Sequence, residues 1–166
     1  AAPAYPDYQF VVAAMDHLPA QLYQEIAGKY PVKIITGRTY DLLAVAEAAL
    51  VTSGTATLEA ALFDVPQAVC YKTSPLTYRM AKLVIKVRFI SLVNLITDRE
   101  VVRELIQADL NPVSLHRELE EILVTGYRHE RIKAGYRELR SILGGSGASG
   151  RVAADMAGNL VQKEGR

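Results

Sequence analysis

The strongest chemical signal in this chain is the run Ser53-Gly54-Thr55-Ala56-Thr57-Leu58-Glu59. An apolar, strand-like stretch over 48–52 leads into it, and an apolar helical stretch ending near Phe63 follows. A strand that turns through Ser-Gly into a helix builds a site for an anion. The first helical N–H groups have no partner inside the helix, the dipole is positive there, and a glycine lets a phosphate come close to the backbone. Ser53 and Thr55 add hydroxyls, and Ser53 is a favoured N-cap type. Glu59 lies one turn beyond Thr55 on the same helical face. A carboxylate at that place can accept hydrogen bonds from the vicinal hydroxyls of a ribose. Phosphate donors followed one turn later by a ribose acceptor suit a nucleoside diphosphate. The same residues also read as a well-capped strand–helix turn with a solvated Glu, since short motifs recur by chance.

Positioning such residues requires a particular order of elements. Short apolar runs predict strands over 8–13, 32–36, 50–51, 68–71 and 89–92, with helices over 20–29, 40–47, 55–63 and 76–87 between them. Strands separated in this way by helices predict a parallel sheet covered on both faces. From Asp98 onward the pattern is helical only, over 100–108, 113–124, 127–143 and 148–162. The expected fold is α/β and Rossmann-like, one domain over 1–143, with a Gly/Ser joint and a C-terminal helix over 144–166. Ligands of such open sheets bind beyond the carboxyl ends of the strands. Ser53-Gly54-Thr55, Tyr71-Lys72-Thr73-Ser74 and Val93-Asn94-Leu95 are all expected there.

Other polar residues have two readings each. Asn94 follows the expected fifth strand, where its amide can fix a base, sugar or phosphate, or serve as an ordinary turn residue. Glu104 and Gln107 fall three apart among Val101, Val102, Leu105 and Ile106. On a helix they share a face, to hold a hydroxylated ligand or to form its wet side. Between Val65 and Thr97 stand Lys72, Arg79, Lys82, Lys86 and Arg88 and no acid, a local +5 in a chain of +1, which leaves −4 for the remainder. Arg79, Lys82 and Lys86 form one face of the expected 76–87 helix, opposite Met80, Leu83, Val84 and Val87. That face meets an anionic membrane, receives an acidic ligand, or is simply solvated. The run 145–150 matches G-x-G-x-x-G literally, but it follows a long helix rather than a strand and reads as a joint.

Bulk composition admits these readings without selecting among them. The 166 residues, 50% hydrophobic and 22% charged, make an ordinary globular domain with a sizeable core. The absence of aromatic-interleaved basic motifs, with the charge outside the basic stretch acidic, argues against nucleic acid. No apolar run is long enough to span a bilayer and no signal peptide is visible. The lone Cys70, in an apolar run, fits a reducing compartment and a core position rather than a nucleophile. His17, His116 and His129 show no metal-ligand spacing. The chain opens on Ala1-Ala2-Pro3 without a Met, which reads as a piece of a longer protein.

The stretch 53–82, SGTATLEAALFDVPQAVCYKTSPLTYRMAK, with 90–107, ISLVNLITDREVVRELIQ, resembles lipid-A-disaccharide synthase, an inverting glycosyltransferase of the GT-B type. The resemblance runs from about Tyr8 to the end and covers the second, donor-binding half of such an enzyme. It implies transfer of 2,3-diacylglucosamine from UDP to the 6-hydroxyl of 2,3-diacylglucosamine 1-phosphate. Carried over, Ser53, Gly54 and Thr55 hold the diphosphate and Glu59 the ribose, while Asn94, Glu104 and Gln107 line the donor cleft. Lys72 is a counter-charge for the leaving UDP. The resemblance further implies no metal or other cofactor, and an N-terminal partner domain with the acceptor site and catalytic base. It also implies a cytoplasmic place peripheral to the inner membrane, with Arg79, Lys82 and Lys86 as membrane contacts, and is compatible with a homo-oligomer. Three departures stand out: the family's Leu-Pro-Gly-Ser-Arg segment is missing, and Val93 and Arg103 replace prolines. Losing the prolines removes local stiffening around Asn94. The alternatives are another GT-B UDP-sugar enzyme, of the peptidoglycan GlcNAc transferase or UDP-GlcNAc 2-epimerase type, and a non-catalytic UDP-binding or membrane-docking module.

Overall fold

In the computed structural model, residues 5–75, 77, 78 and 88–144 are described. The order is β1 (Phe10–Ala14), α1 (Ala20–Ala27), β2 (Val32–Thr36), α2 (Thr39–Val45), β3 (Ala49–Val51), α3 (Thr55–Leu62) and β4 (Gln67–Tyr71). Then come α4 (Leu92–Thr97), β5 (Arg103–Ile106), a 3₁₀ turn (Gln107–Asp109), α5 (Pro112–Ile122) and α6 (His129–Leu143). Every strand pairing is parallel, which with the intervening helices makes the fold α/β and Rossmann-like. The strands form two sheets, β1-β2 and β3-β4-β5, and no pairing joins them among the described residues.

The core lies around the three-stranded sheet. Gln67, Ala68 and Val69 of β4 are all buried, as a strand covered on both faces requires. On α3 the buried residues are Thr57, Ala60 and Ala61, small enough for the helix to lie close to its neighbours. Along α6, Ile132, Gly135, Tyr136 and Leu139 recur at helical spacing and face inward. Gly135 is required there by contact, because a Cβ on it would stand 2.4 Å from Val101 Cγ1. The β1-β2 pair is more loosely covered: α1 and α2 bury no residue, although Tyr5, just before β1, reaches the core and donates from its hydroxyl to the His116 backbone carbonyl (3.3 Å).

The second half differs from the sequence expectation in a way that bears on function. The fifth strand is Arg103–Ile106, not 89–92, and it sits inside the stretch expected to be helical over 100–108. Pairing with β4 outweighs the helix-like spacing of Val101, Val102, Leu105 and Ile106, with Cys70 facing Leu105 and Tyr71 facing Ile106. Around 89–92 the backbone N–H groups of Ile90 and Ser91 go to the Glu104 carboxylate instead of a neighbouring strand. Ser91 then caps α4, its Oγ accepting from Asn94 N (3.3 Å). Asp98, at φ 50°, ends that helix in the left-handed region. Elsewhere the expected elements lie within about two residues of the observed ones, as helix ends commonly do. Of the expected 76–87 helix only Thr77 and Tyr78 are described, and Arg79, Lys82 and Lys86, the glycine run 145–150 and the helix over 148–162 lie outside the described residues.

Candidate functional site

Parallel strands bring the exits of β3, β4 and β5 to one edge of the sheet. Gly54 follows β3 as the N-cap of α3, at φ 126° and ψ −160°, a conformation open essentially to glycine alone. Its chain neighbours aside, no atom of the described residues lies within 4 Å of where its Cβ would be. The turn is therefore both obligatory for glycine and open to an approaching group. Thr55, the first helical residue, is exposed, and its N–H and that of Ala56 have no acceptor within the helix. Glu59 projects one turn further along, half-buried and with no hydrogen-bond or ion-pair partner among the described residues.

Ser53 is not the cap expected from its type. Its Oγ donates instead to the Ile90 carbonyl (3.0 Å), fastening the turn to the segment before α4. Thr57, which the sequence reading passed over, does similar work. Its Oγ1 donates to the Gly54 carbonyl (2.8 Å) and accepts from Leu92 N (3.3 Å). The signal was present as a second Thr two residues into the helix, where a hydroxyl can bond back to the preceding turn.

Asn94 and Glu104 do come together with this turn, but their polar atoms are committed to the protein. Asn94 is fully buried in α4 rather than standing at a strand end. Its Oδ1 accepts from Val101 N (2.8 Å) and Val102 N (3.0 Å), and its Nδ2 donates to the Val102 carbonyl (2.8 Å) and to Glu104 Oε1 (2.9 Å). Glu104 lies on β5, not on a helix, and its carboxylate also accepts from Ile90 N (2.9 Å) and Ser91 N (3.0 Å). Val93, at a family proline position, is buried inside α4, and Arg103, at the other, opens β5.

Gln107 stands where β5 ends, at φ 54°, a strained value for a non-glycine residue. Its Oε1 accepts from Thr73 N (3.3 Å), which ties the exit of β5 to that of β4. Its Nε2 is buried and meets no acceptor among the described residues. A buried amide donor left unmet is costly and points to a missing partner. Lys72, beside Thr73, is exposed and forms no ion pair among the described residues.

The remaining chemistry-bearing residues are structural. Burial, with a smaller contribution from Glu118, pushes the Cys70 thiol up to about 11, so it is not a nucleophile near neutrality. His129 Nδ1–H donates to the Ile122 carbonyl (2.9 Å), and His116 Nδ1 bonds the Tyr5 hydroxyl (2.9 Å). No group of metal-binding side chains occurs among the described residues, and no helix there is long and apolar enough to cross a membrane.

The sequence itself decides which family built this edge. Residues 4–149 match the family model described as lipid-A-disaccharide synthetase. The chain belongs to that family. It is similar to lipid-A-disaccharide synthases of Anaeromyxobacter sp. strain K, at 38% identity over 93% of this chain and 41% of the relative. It is also similar to that of Syntrophus aciditrophicus, at 44% over 80% of the chain and 34% of the relative, and that of Geobacter sulfurreducens, at 36% over 90% and 39%. The chain thus spans about 40% of the length of the curated lipid-A-disaccharide synthases it matches. At this edge the Gly54 turn and the Glu59 carboxylate are left without side-chain partners among the described residues, and the Gln107 amide is buried with its Nε2 unmet. Ser53, Thr57, Asn94 and Glu104 form the part already bonded.

Proposed function

We propose that this chain is the UDP-sugar-binding part of an inverting glycosyltransferase of lipid A biosynthesis. It presents UDP-2,3-diacylglucosamine to the 6-hydroxyl of 2,3-diacylglucosamine 1-phosphate. The observation that carries this reading is the open glycine turn at the N-terminus of α3, in a chain of the lipid-A-disaccharide synthetase family. The diphosphate sits over the N–H groups of Thr55 and Ala56 with the Thr55 hydroxyl beside it, and the ribose hydroxyls donate to Glu59. The Gln107 Nε2–H donates to the same ligand, which satisfies its buried amide.

In the reaction, the acceptor hydroxyl oxygen forms a bond to the sugar C1 while the bond from C1 to the phosphate oxygen breaks. The hydroxyl proton goes to a base supplied from outside this chain, in an N-terminal partner domain. UDP departs with the electron pair, and its growing charge is met by the α3 N-terminus and the Lys72 ammonium, with no metal called for in this reading. Both substrates carry acyl chains, so the enzyme works at a membrane surface, peripheral to the cytoplasmic side of the inner membrane. Arg79, Lys82 and Lys86 are the proposed contacts, each worth about 1 kcal/mol near anionic lipid. Calorimetric titration of UDP, UMP, ADP and GDP into the protein tests the reading. UDP binding above UMP and the purine nucleotides is expected, and equal or absent binding of all four overturns it.

A further inference from the structure

The segment 89–91 has no regular structure of its own and leads into Leu92, the first residue of α4, yet its polar groups and the Leu92 N–H are held from two directions. From β5, the Glu104 carboxylate accepts from Ile90 N and Ser91 N. From α3, Thr57 Oγ1 accepts from Leu92 N, and Ser53 Oγ donates to the Ile90 carbonyl. Consecutive N–H groups are thus taken by side chains of two different elements. Bonds to an ionised carboxylate are the stronger kind, and two from adjacent amides fix a peptide's orientation as well as its place. Asn94 sets the carboxylate in turn, bonding Glu104 Oε1 and, at its other end, the two residues that lead into β5. Thr57 couples this segment to the anion turn directly, because the same hydroxyl that receives Leu92 N donates to the Gly54 carbonyl.

We propose that 89–92 is a moulded wall of the nucleotide site, and that Thr57, Asn94 and Glu104 are the positioning residues that hold it against the Gly54 turn. The proposal rests on the nucleotide reading given above. These side chains touch no ligand; they act by fixing the peptide planes beside it before it arrives, so that binding requires little reordering. Phe89 and Ser91 of the wall are buried, Ile90 and Leu92 half-buried, and Ile90 packs against the core from this side.

The test combines amide hydrogen exchange with UDP titration on the parent protein, Thr57→Val, Thr57→Ser and Glu104→Gln. Loss of the Thr57 hydroxyl speeds exchange at Leu92 and weakens UDP binding roughly five- to tenfold, the effect of about one hydrogen bond. Thr57→Ser restores both. Glu104→Gln speeds exchange at Ile90 and Ser91 with a comparable loss of affinity. Where Thr57→Val does not fold, Thr57→Ala against Thr57→Ser makes the same comparison. The proposal is overturned if these amides exchange faster while UDP affinity stays within twofold of the parent, or if Thr57→Ser rescues neither readout. A parent that keeps these amides protected but binds no UDP instead removes the nucleotide reading, and the proposal with it.

Discussion

Two groups of polar side chains border the same edge of the sheet, and they are used in opposite ways. Asn94, Glu104, Ser53 and Thr57 are bonded to backbone, and Asn94 is wholly buried. Thr55, Glu59 and Lys72 reach solvent and, among the described residues, hold no side-chain partner. The first group shapes a surface and the second leaves donors, an acceptor and a charge free. Sequence proximity to a motif does not separate the two, since Thr55 and Thr57 stand two apart and fall on opposite sides of the division.

Mutation should expose that division most strongly at Asn94. Asn94→Ala leaves the N–H groups of Val101 and Val102 unmet in the interior, at about 1–3 kcal/mol each. A fall in Tm of about 10 °C or more is expected by calorimetry. A Tm close to the parent's, with only ligand binding lost, would move Asn94 to the open group. Gly54→Ala comes next, at roughly 1–3 kcal/mol of backbone strain because of its φ of 126°, with UDP binding reduced as well. Since space around the Cβ is open, a stability unchanged in denaturant titration would show that the turn relaxes.

Glu59→Ala should do the reverse of Asn94→Ala. UDP affinity falls roughly tenfold, the scale of hydrogen bonds to a charged group, while Tm is unchanged. Equal affinity in parent and variant ends the ribose assignment. Lys72→Ala is a smaller change of a few-fold in UDP affinity, about 1 kcal/mol or less for an exposed charge, and it should vanish at high salt. The smallest effect lies away from the site, at Glu118, which is buried on α5 beside Arg128. Desolvation raises its pKa, and the Arg128 charge only partly opposes this. A raised carboxyl gives stability that is present below the ordinary carboxylate range and lost as pH rises through the shifted value. The Tm difference between parent and Glu118→Gln should therefore move in the parent's favour as the solution is acidified. A difference that is flat with pH would remove the linkage.

Much of this was legible from residue order. The Gly54 turn could be read because its signal is local, with an apolar strand, a glycine and a helix in sequence. The strands over 32–36 and 68–71 were legible for the same reason. The swap of 89–92 for Arg103–Ile106 was not, because it depends on a carboxylate fourteen residues downstream capturing Ile90 N. A run such as Phe89-Ile90-Ser91-Leu92 looks like a strand until its N–H groups are taken by something other than a strand. Glu104 was expected on a helical face toward a ligand; it stands on β5, and its carboxylate is already bonded to Ile90 N, Ser91 N and Asn94 Nδ2. The unmet Gln107 amide is legible only in three dimensions, since burial and partners are properties of the fold.

The separation of β1-β2 from β3-β4-β5 has a consequence for handling the molecule. Among the described residues, two sheets carry four strand edges where one continuous sheet would carry two. An open strand edge presents unpaired N–H and C=O groups to any chain that can lie alongside it. β3 exposes Leu50 (42%), whereas β2 carries Lys33, a residue type that discourages such pairing. Prepared as this chain alone and concentrated, the protein should self-associate through β3 and the free edge of β1 before it unfolds. Colloidal behaviour, not thermal stability, then sets the concentration at which it can be studied.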